Sequence, residues 1–405
     1  MKIFAAAALA AAILAQTGVA YAKQVIVGFK PEVTPIERNL SLSRMGLRFV
    51  EALPEIDAVV AEPAGFRTMS DVTFAASLEP AVSAVEENEE RNWLNAELVT
   101  FSAVPLPAFG DVMAALPKMS PAKAAALPAL PPGVTKEEIP WGIQRVNAPN
   151  AWAKTQGAGV KVAVIDTGID FNHPDLKPNF AGCYNALDAK ASCMDDNGHG
   201  SHVSGTIAGA LDGKGVAGVA PKARLYGVKV LDAQGRGGLV SIIKGLVWAG
   251  NNGMQVANMS LGAPIGTVFM RAAVKYATLR GVTVVAAAGN NGGKVGCPAC
   301  YGDTIAVSAS DSSDRIASFS SRGSDVDLIA PGVDVKSSIP GGGYDFYDGT
   351  SMATPHVAGL AALAVARGAK GPEAVRAALT KAAKSIGLKP TEQGAGLVDA
   401  SVLVK

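Results

Sequence analysis

The chain has 405 residues, 49% of them hydrophobic and 18% charged, with a formal net charge of +1. That length predicts two or three domains at roughly 100–200 residues each, and the hydrophobic share is enough for at least one large core. The near-neutral balance, without a basic tract interleaved with aromatics, argues against nucleic acid or any general polyanion as a partner.

Taken in chain order, Lys2 precedes an apolar run from Ile3 to Leu14, and Ala20-Tyr21-Ala22 follows as a small-x-small site. This is the pattern of a secretory signal peptide over residues 1–22. The run is short of the ~20 apolar residues that a spanning helix needs, and no later segment is longer. The reading is therefore a secreted protein, extracellular or periplasmic, without a membrane partner. Residues 23–95 read as a small α/β unit: a strand at Gln24–Phe29, a helix at Thr34–Met45, a strand at Ala58–Ala61, a helix near Val72–Leu78 and a strand at Val82–Glu87. Two such β-α-β halves predict a ferredoxin-like α+β sandwich. Residues 96–136 carry Pro105, Pro107, Pro117, Pro121, Pro128, Pro131 and Pro132 among many alanines, a composition that suits a linker.

From Glu137 to the C-terminus, short apolar runs alternate with helical stretches. The runs are Val160–Ile165, Ala223–Leu231, Met254–Met259, Val282–Ala287 and Thr304–Ser308. The helical stretches are Ser201–Ala210, Leu239–Asn251, Thr267–Arg280, Ser351–Arg367 and Pro372–Ala383. The alternation predicts a doubly wound α/β fold around a mostly parallel sheet, with ligands bound beyond the carboxyl ends of the strands. The four cysteines are Cys183, Cys193, Cys297 and Cys300. An even number in an exported chain predicts two disulfides. Three pairings are open, the local one being simplest; a redox or zinc role for the C-x-x-C at Cys297 lacks a second such motif.

Three polar residues fall at expected sheet edges or helix entries. Asp166 ends the strand before Thr167-Gly168, His199 lies in Asn197-Gly198-His199-Gly200-Ser201-His202, and Ser351 lies in Gly349-Thr350-Ser351-Met352-Ala353-Thr354-Pro355-His356. A serine hydroxyl needs a base of near-neutral pKa, and the base needs an acceptor that fixes its tautomer. Asp, His and Ser in this chain order supply the three roles. A metal pair made of His199 and His202, three residues apart, has no evident third ligand.

The stretches around these residues resemble the subtilisin-like family of serine peptidases from about Glu137 onward. The resemblance implies Ser351 as nucleophile, His199 as base and Asp166 as its partner. It implies Asn290, in Ala286-Ala287-Ala288-Gly289-Asn290, as oxyanion donor together with the Ser351 backbone N–H. It places the extended substrate along Asn258–Gly262. Ser260, Leu261 and Gly262 form one wall of the first specificity pocket and Ala288 and Gly289 the other, with Gly296 near the floor, which implies a preference for large apolar residues before the scissile bond. The loop bracketed by Cys297 and Cys300 departs from the family pattern and leaves the pocket shape open. A structural calcium is implied at Glu137, Asp175 and Asp212, hard oxygen donors suited to that ion; Asp325 and Asp327 mark a weaker second candidate.

The N-terminal unit resembles the family's propeptide, a folding assistant and inhibitor whose tail lies in the active site. The whole is then an autoprocessed, monomeric zymogen with domains at 1–22, 23–95, 96–136 and 137–405. Its partners are its own propeptide and protein or peptide substrates, and maturation falls between Leu94 and Lys136. Sedolisin-type acid peptidases carry Glu for this His and Asp for this Asn, so His199 and Asn290 argue against them. A non-catalytic peptide-binding scaffold has no need of four filled catalytic positions.

Overall fold

A computed structural model of the protein describes residues 23–94 and 137–405. The expected signal peptide and the expected linker lie outside these residues.

The N-terminal unit runs β1 (Val25–Phe29), α1 (Pro35–Arg44), β2 (Leu47–Leu53), β3 (Ala58–Pro63), α2 (Met69–Ser77) and β4 (Val82–Glu87). Its antiparallel sheet has the order β2-β3-β1-β4, which is the ferredoxin-like arrangement expected. Both helices start on capping boxes. Thr34 with Glu37 and Thr68 with Asp71 each satisfy two backbone donors reciprocally. Strand β2 was not anticipated because Arg48, Phe49 and Val50 are all exposed, which erases the two-residue alternation that marks a strand. The sheet is buried on both faces. Val25, Val27 and Phe29 pack under the helices with Leu42, Met45 and Val72. Ile26, Leu53, Ala58 and Val60 face the other way, into a core shared with Ile242, Phe269 and Met270.

A short strand β5 (Glu90–Asn92) follows. The second unit contains β6 (Lys161–Asp166), β7 (Phe180–Asn185), α3 (His199–Ala208), β8 (Arg224–Lys229), β9 (Arg236–Gly238), α4 (Leu239–Asn251), β10 (Val256–Met259), α5 (Val268–Leu279), β11 (Thr283–Ala287), β12 (Thr304–Ser310) and β13 (Leu328–Pro331). A hairpin of β14 (Val335–Ile339) and β15 (Gly343–Tyr347) precedes α6 (Thr350–Ala366), α7 (Gly371–Ala382) and the short strands β16 (Ala383–Lys384) and β17 (Leu397–Val398). The central nine-stranded sheet has the order β16-β17-β13-β12-β11-β10-β6-β8-β7. Its pairings are parallel apart from β16 with β17, so the fold is the doubly wound α/β class. Strands such as β11 and β12 are buried along their whole length, which is why they read as unbroken apolar runs. The edge strand β7 is half-exposed, and β13 is four residues long; neither gave a sequence signal. Helix α6 is buried on every side over Thr350–Ala364, as expected of a helix that is apolar all round.

The sheet grows away from β6 in both directions, first through β8 and β7 and later through β10 to β13. That reversal opens a crevice at the carboxyl ends of β6 and β10.

The two units meet closely at Gly28, where a Cβ would lie 2.8 Å from Phe269 Cε1 and 2.9 Å from Ser83 Oγ. Gly28→Val therefore overpacks the shared core at a cost of about 1–3 kcal/mol. Calorimetry of the full chain is expected to show a lowered unfolding midpoint, and an unchanged midpoint would mean that Phe269 moves aside without cost.

Candidate active site

Asp166 is fully buried at the carboxyl end of β6. Its Oδ1 accepts from Thr167 N at 2.7 Å, and His199 Nδ1 approaches Oδ1 and Oδ2 at 2.8 and 3.0 Å. A proton on Nδ1 is the arrangement that satisfies the carboxylate, and it leaves Nε2 as the acceptor. His199 opens helix α3 directly after Gly198, whose φ of +112° is one that an L-residue rarely adopts. Burial pushes the His199 pKa down, but the charge and hydrogen bond of Asp166 and the charge of Asp195 outweigh it, and the net direction is upward from 6.5.

Asp195 was missed in the sequence. Its Oδ1 accepts from Thr167 Oγ1 (2.8 Å), Asn197 N (3.0 Å) and Gly198 N (2.9 Å), and its Oδ2 accepts from Ser201 N (2.9 Å) and Ser201 Oγ (2.7 Å). Thr167 Oγ1 in turn accepts from Gly200 N at 2.9 Å. The turn bearing His199 is thus fastened to the residue next to Asp166. An Asp three residues before a glycine at a helix entry is the one sequence signal that points to such a turn.

Ser351 lies in the first turn of α6, and its Oγ donates to Ser260 O at 3.1 Å rather than to His199. Both side chains border one cavity; catalytic hydrogen bonds in unliganded sites are commonly loose and tighten with substrate. Pro355 lacks the N–H that would otherwise bond the Ser351 carbonyl one turn back. Ser260 Oγ fills that gap, donating to Ser351 O at 2.7 Å. Asn290 follows the end of β11. Its Oδ1 accepts from Thr350 N and Thr350 Oγ1, both at 2.8 Å. That fixes the amide orientation and leaves Nδ2 as the donor beside the cavities that Asn290 shares with Ser351.

A pocket next to Ser351 is lined by Leu261, Gly262, Ala263, Ala287, Gly289, Asn290, Lys294 and Gly296, among others. Of the residues expected there, Leu261, Gly262, Gly289 and Gly296 border it. Ser260 braces Ser351 from behind, and Ala288 is buried with its carbonyl taken by Gly296 N at 2.9 Å. Lys294, an exposed cation on the rim, was not anticipated. The cysteines pair locally, Cys183 with Cys193 and Cys297 with Cys300. The second pair stiffens the pocket loop, where Cys297 exchanges backbone hydrogen bonds of 2.8 and 2.9 Å with Ala263.

The chain's own residues occupy the cleft. β5 pairs antiparallel with β9, Trp93 N donates to Gly235 O at 3.0 Å, and Gly262 N donates to Trp93 O at 3.1 Å. The Trp93 indole is buried among Leu231, Leu239 and Leu261 and donates to Gly237 O at 2.7 Å. Leu94 borders the cavities beside Ser351 and His199. Two more contacts cap helices of the second unit. Glu86 accepts from Val268 N at 2.7 Å, and Asn88 Oδ1 accepts from Val240 N at 2.9 Å.

The expected trio of calcium ligands is not assembled as a cluster; among the described residues no group of three His, Cys, Asp or Glu has metal-binding geometry. Glu137 Oε2 instead accepts from Asp212 N and Gly213 N at 3.0 and 2.7 Å, and Asp212 itself is exposed. Glu137 Oε1 and Asp175 Oδ1, however, are buried without hydrogen-bond partners. Burial raises the pKa of both carboxyls, against the backbone N–H groups and, at Asp175, the Tyr344 hydroxyl and the His173 charge that lower it, and neighbouring acidic charge adds to the rise. Gly215, at a φ of +73°, leaves no room for a side chain against Asp175. Asp327 is no open cation site, because Arg376 and Ala306 N take its carboxylate.

The other histidines are committed elsewhere. His202 Nε2 contacts Val335 O (2.9 Å) and Asp345 O (3.2 Å), and its ring stacks on Tyr347, so it does not join His199 in a metal pair. His356 Nδ1 faces Met352 O at 2.9 Å. Burial drives their pKa values down to about 3 and about 4, so both stay neutral. His173 is buried and its Nε2 lies 3.0 Å from Gly343 O.

The sequence is similar to those of known proteins. The model for the subtilase family covers residues 157–397. Subtilisin BL of Lederbergia lenta is 49% identical over 272 residues, 66% of this chain and 100% of that protein. Alkaline elastase YaB of Bacillus sp. (strain YaB) is 47% identical over 274 residues, 67% of this chain and 71% of that protein. Subtilisin E of Bacillus subtilis (strain 168) is 49% identical over 238 residues, 57% and 62% of the two chains.

Proposed function

The chain belongs to the subtilase family and is a serine endopeptidase, and from that premise we propose that Ser351, His199, Asp166 and Asn290 carry the reaction. Ser351 Oγ attacks the scissile carbonyl as His199 Nε2 takes its proton. Asp166 holds the ring by Nδ1–H and stabilises the imidazolium that forms. The oxyanion of the tetrahedral intermediate sits between Asn290 Nδ2 and Ser351 N, at the positive end of α6. His199 then protonates the leaving amine, and water, activated by the same nitrogen, releases the acyl group from Ser351. The observation that carries this reading is the 2.8 Å His199–Asp166 contact on a cavity that also holds Ser351 and Asn290.

The proposal extends to the precursor. Residues 1–22 direct export and are removed. Residues 23–94 act as an inhibitory propeptide, for which the support is the occupation of the cleft by Glu90–Leu94 and the two capped helices. Autoprocessing cuts first at or just after Leu94, where the strand-paired tail reaches Ser351, and residues up to about 136 are trimmed afterwards. The mature enzyme is a secreted monomer acting on extended peptides through backbone pairing with β9 and Gly262. Its pocket accepts large apolar residues, because Gly296 adds no side chain to it, and the Lys294 rim favours acidic over basic residues there.

A structural calcium is proposed at Glu137 and Asp175, with Asp212 nearby and loop carbonyls of residues 211–216. The support is the pair of desolvated carboxylate oxygens without partners, which a hard divalent cation satisfies. The sign of the pH effect follows from the raised Glu137 pKa. The metal-free fold keeps a proton there that the unfolded chain loses above 4.5, so metal-free stability declines as pH rises through the folded value. Calcium replaces that proton, and its stabilisation grows over the same range.

Ser351→Ala is expected to abolish casein hydrolysis and to accumulate uncleaved chain; maturation and digestion at the wild-type rate would overturn the assignment. Asn290→Leu should lower kcat by about 10²–10³-fold, the magnitude known from the corresponding donor in subtilisin. In a peptide library, kcat/KM should favour Phe, Leu and Met before the scissile bond and glutamate over lysine. Gly296→Val, whose Cβ approaches Ala263 O at 2.9 Å, should shift that preference to small residues, and an unchanged profile would refute the pocket reading. Excess chelator should lower the melting temperature more at pH 8 than at pH 5, and equal melting curves with and without chelator would remove the calcium.

A further inference from the structure

We propose that the Cys183–Cys193 disulfide is a positioning element for His199, so that peptidase turnover depends on its oxidation. The inference rests on the reading of His199 as the base. Cys183 is an exposed residue of the edge strand β7, while Cys193 is buried, two residues before Asp195. The disulfide closes a loop of residues 184–192, and that loop leads straight into the turn whose Asp195 carboxylate holds the backbone N–H groups of Gly198 and Ser201 on either side of His199.

The backbone pairing of the segment that enters this turn is thin. Its backbone contacts to the Asp166 strand end are long, Ile169 N to Cys193 O at 3.4 Å and Asp195 N to Ile169 O at 3.4 Å. The contacts within the loop are local, Asn185 Nδ2 to Ser192 O at 2.7 Å, Lys190 N to Asp188 Oδ1 at 2.9 Å and Ala191 N to Asp188 O at 3.0 Å. Asp195 meanwhile spends all its acceptor capacity on Thr167, Asn197, Gly198 and Ser201. Those bonds hold Asp195 from within the turn, and Cys193 is the covalent anchor of the chain that enters it. The other disulfide, Cys297–Cys300, lies across the cleft on the pocket loop and acts on substrate fit instead.

The exposure of Cys183 gives a thiol a route to the bond. A thiolate of a dithiol reductant attacks Cys183 Sγ, Cys193 leaves as a thiolate and takes a proton, and the second reductant thiol displaces Cys183. The protein gains two electrons and two protons, and the reductant closes to its own disulfide. A reducing compartment therefore keeps the pair open and turnover low, and an oxidising one restores it.

The test uses the intact mature enzyme and dithiothreitol as the reductant. Treated wild type should lose at least tenfold in kcat, on the order of 10² if the imidazole shifts by 1 Å. In the Cys297→Ser/Cys300→Ser background, where only Cys183–Cys193 is left to reduce, treatment should leave KM for a peptide substrate unchanged, and kcat should return on reoxidation with oxidised glutathione. The double variant Cys183→Ser/Cys193→Ser should show the low kcat from the start and no response to reductant, whereas Cys297→Ser/Cys300→Ser should keep the response. All assays run at least 15 °C below each melting temperature, so that unfolding does not supply the loss. A kcat within twofold of wild type in reduced enzyme or in Cys183→Ser/Cys193→Ser overturns the proposal, as does a loss confined to KM. If the serine variant does not fold, the reduced wild type decides alone. Should His199→Ala retain wild-type turnover, the fault lies in the catalytic reading itself.

Discussion

A carboxylate buried at the end of a central strand is the constraint around which the site is arranged. Asp166 has no solvent contact, and an isolated charge in that position is prohibitively costly unless donors converge on it. Thr167 N and His199 Nδ1 are those donors. Because His199 has to meet Asp166, its turn has to be held, and Asp195, Thr167 and Ser201 hold it. Behind them, Lys229, paired in register with Asp166 across β6 and β8, is saturated by Thr167 O, Leu231 O and Asp196. The proposed base is thus the visible end of a network that first of all solves a solvation problem.

Much of this was legible in the sequence, for a physical reason. Asp166, His199, Ser351 and Asn290 each sit in a short local signature at a strand end or helix entry. The buried parallel strands announce themselves as apolar runs. What stayed hidden depends on contacts distant in the chain. Thr350 orients Asn290 across 60 residues, and Ser260 supplies the Ser351 carbonyl with a donor across 91, and neither residue type hints at that. One acid misled in the opposite direction. Asp327 suggested a cation ligand, yet its carboxylate is bound by Arg376. Edge strands β2 and β7 escaped because half-exposed segments lose their periodic pattern.

The N-terminal unit complements the larger one at three kinds of surface. A sheet face covers the apolar sides of α4 and α5, Glu86 and Asn88 satisfy orphan donors at the first turns of those helices, and the tail enters the cleft. Each contact occupies a surface or a backbone donor of the larger unit. In the proposed precursor, such a segment would lower the cost of assembling a sheet whose parallel neighbours lie far apart in sequence.

The pairing of β5 with β9 has one more implication. β9 is a strand edge, and an unoccupied edge offers backbone donors and acceptors to any extended chain that reaches it. While Glu90–Asn92 lies there, the hazard is plugged from within. In the proposed maturation that strand leaves, and the same exposure that makes other proteins prone to sticky association would then become the means of capturing unfolded chains with little regard for their sequence.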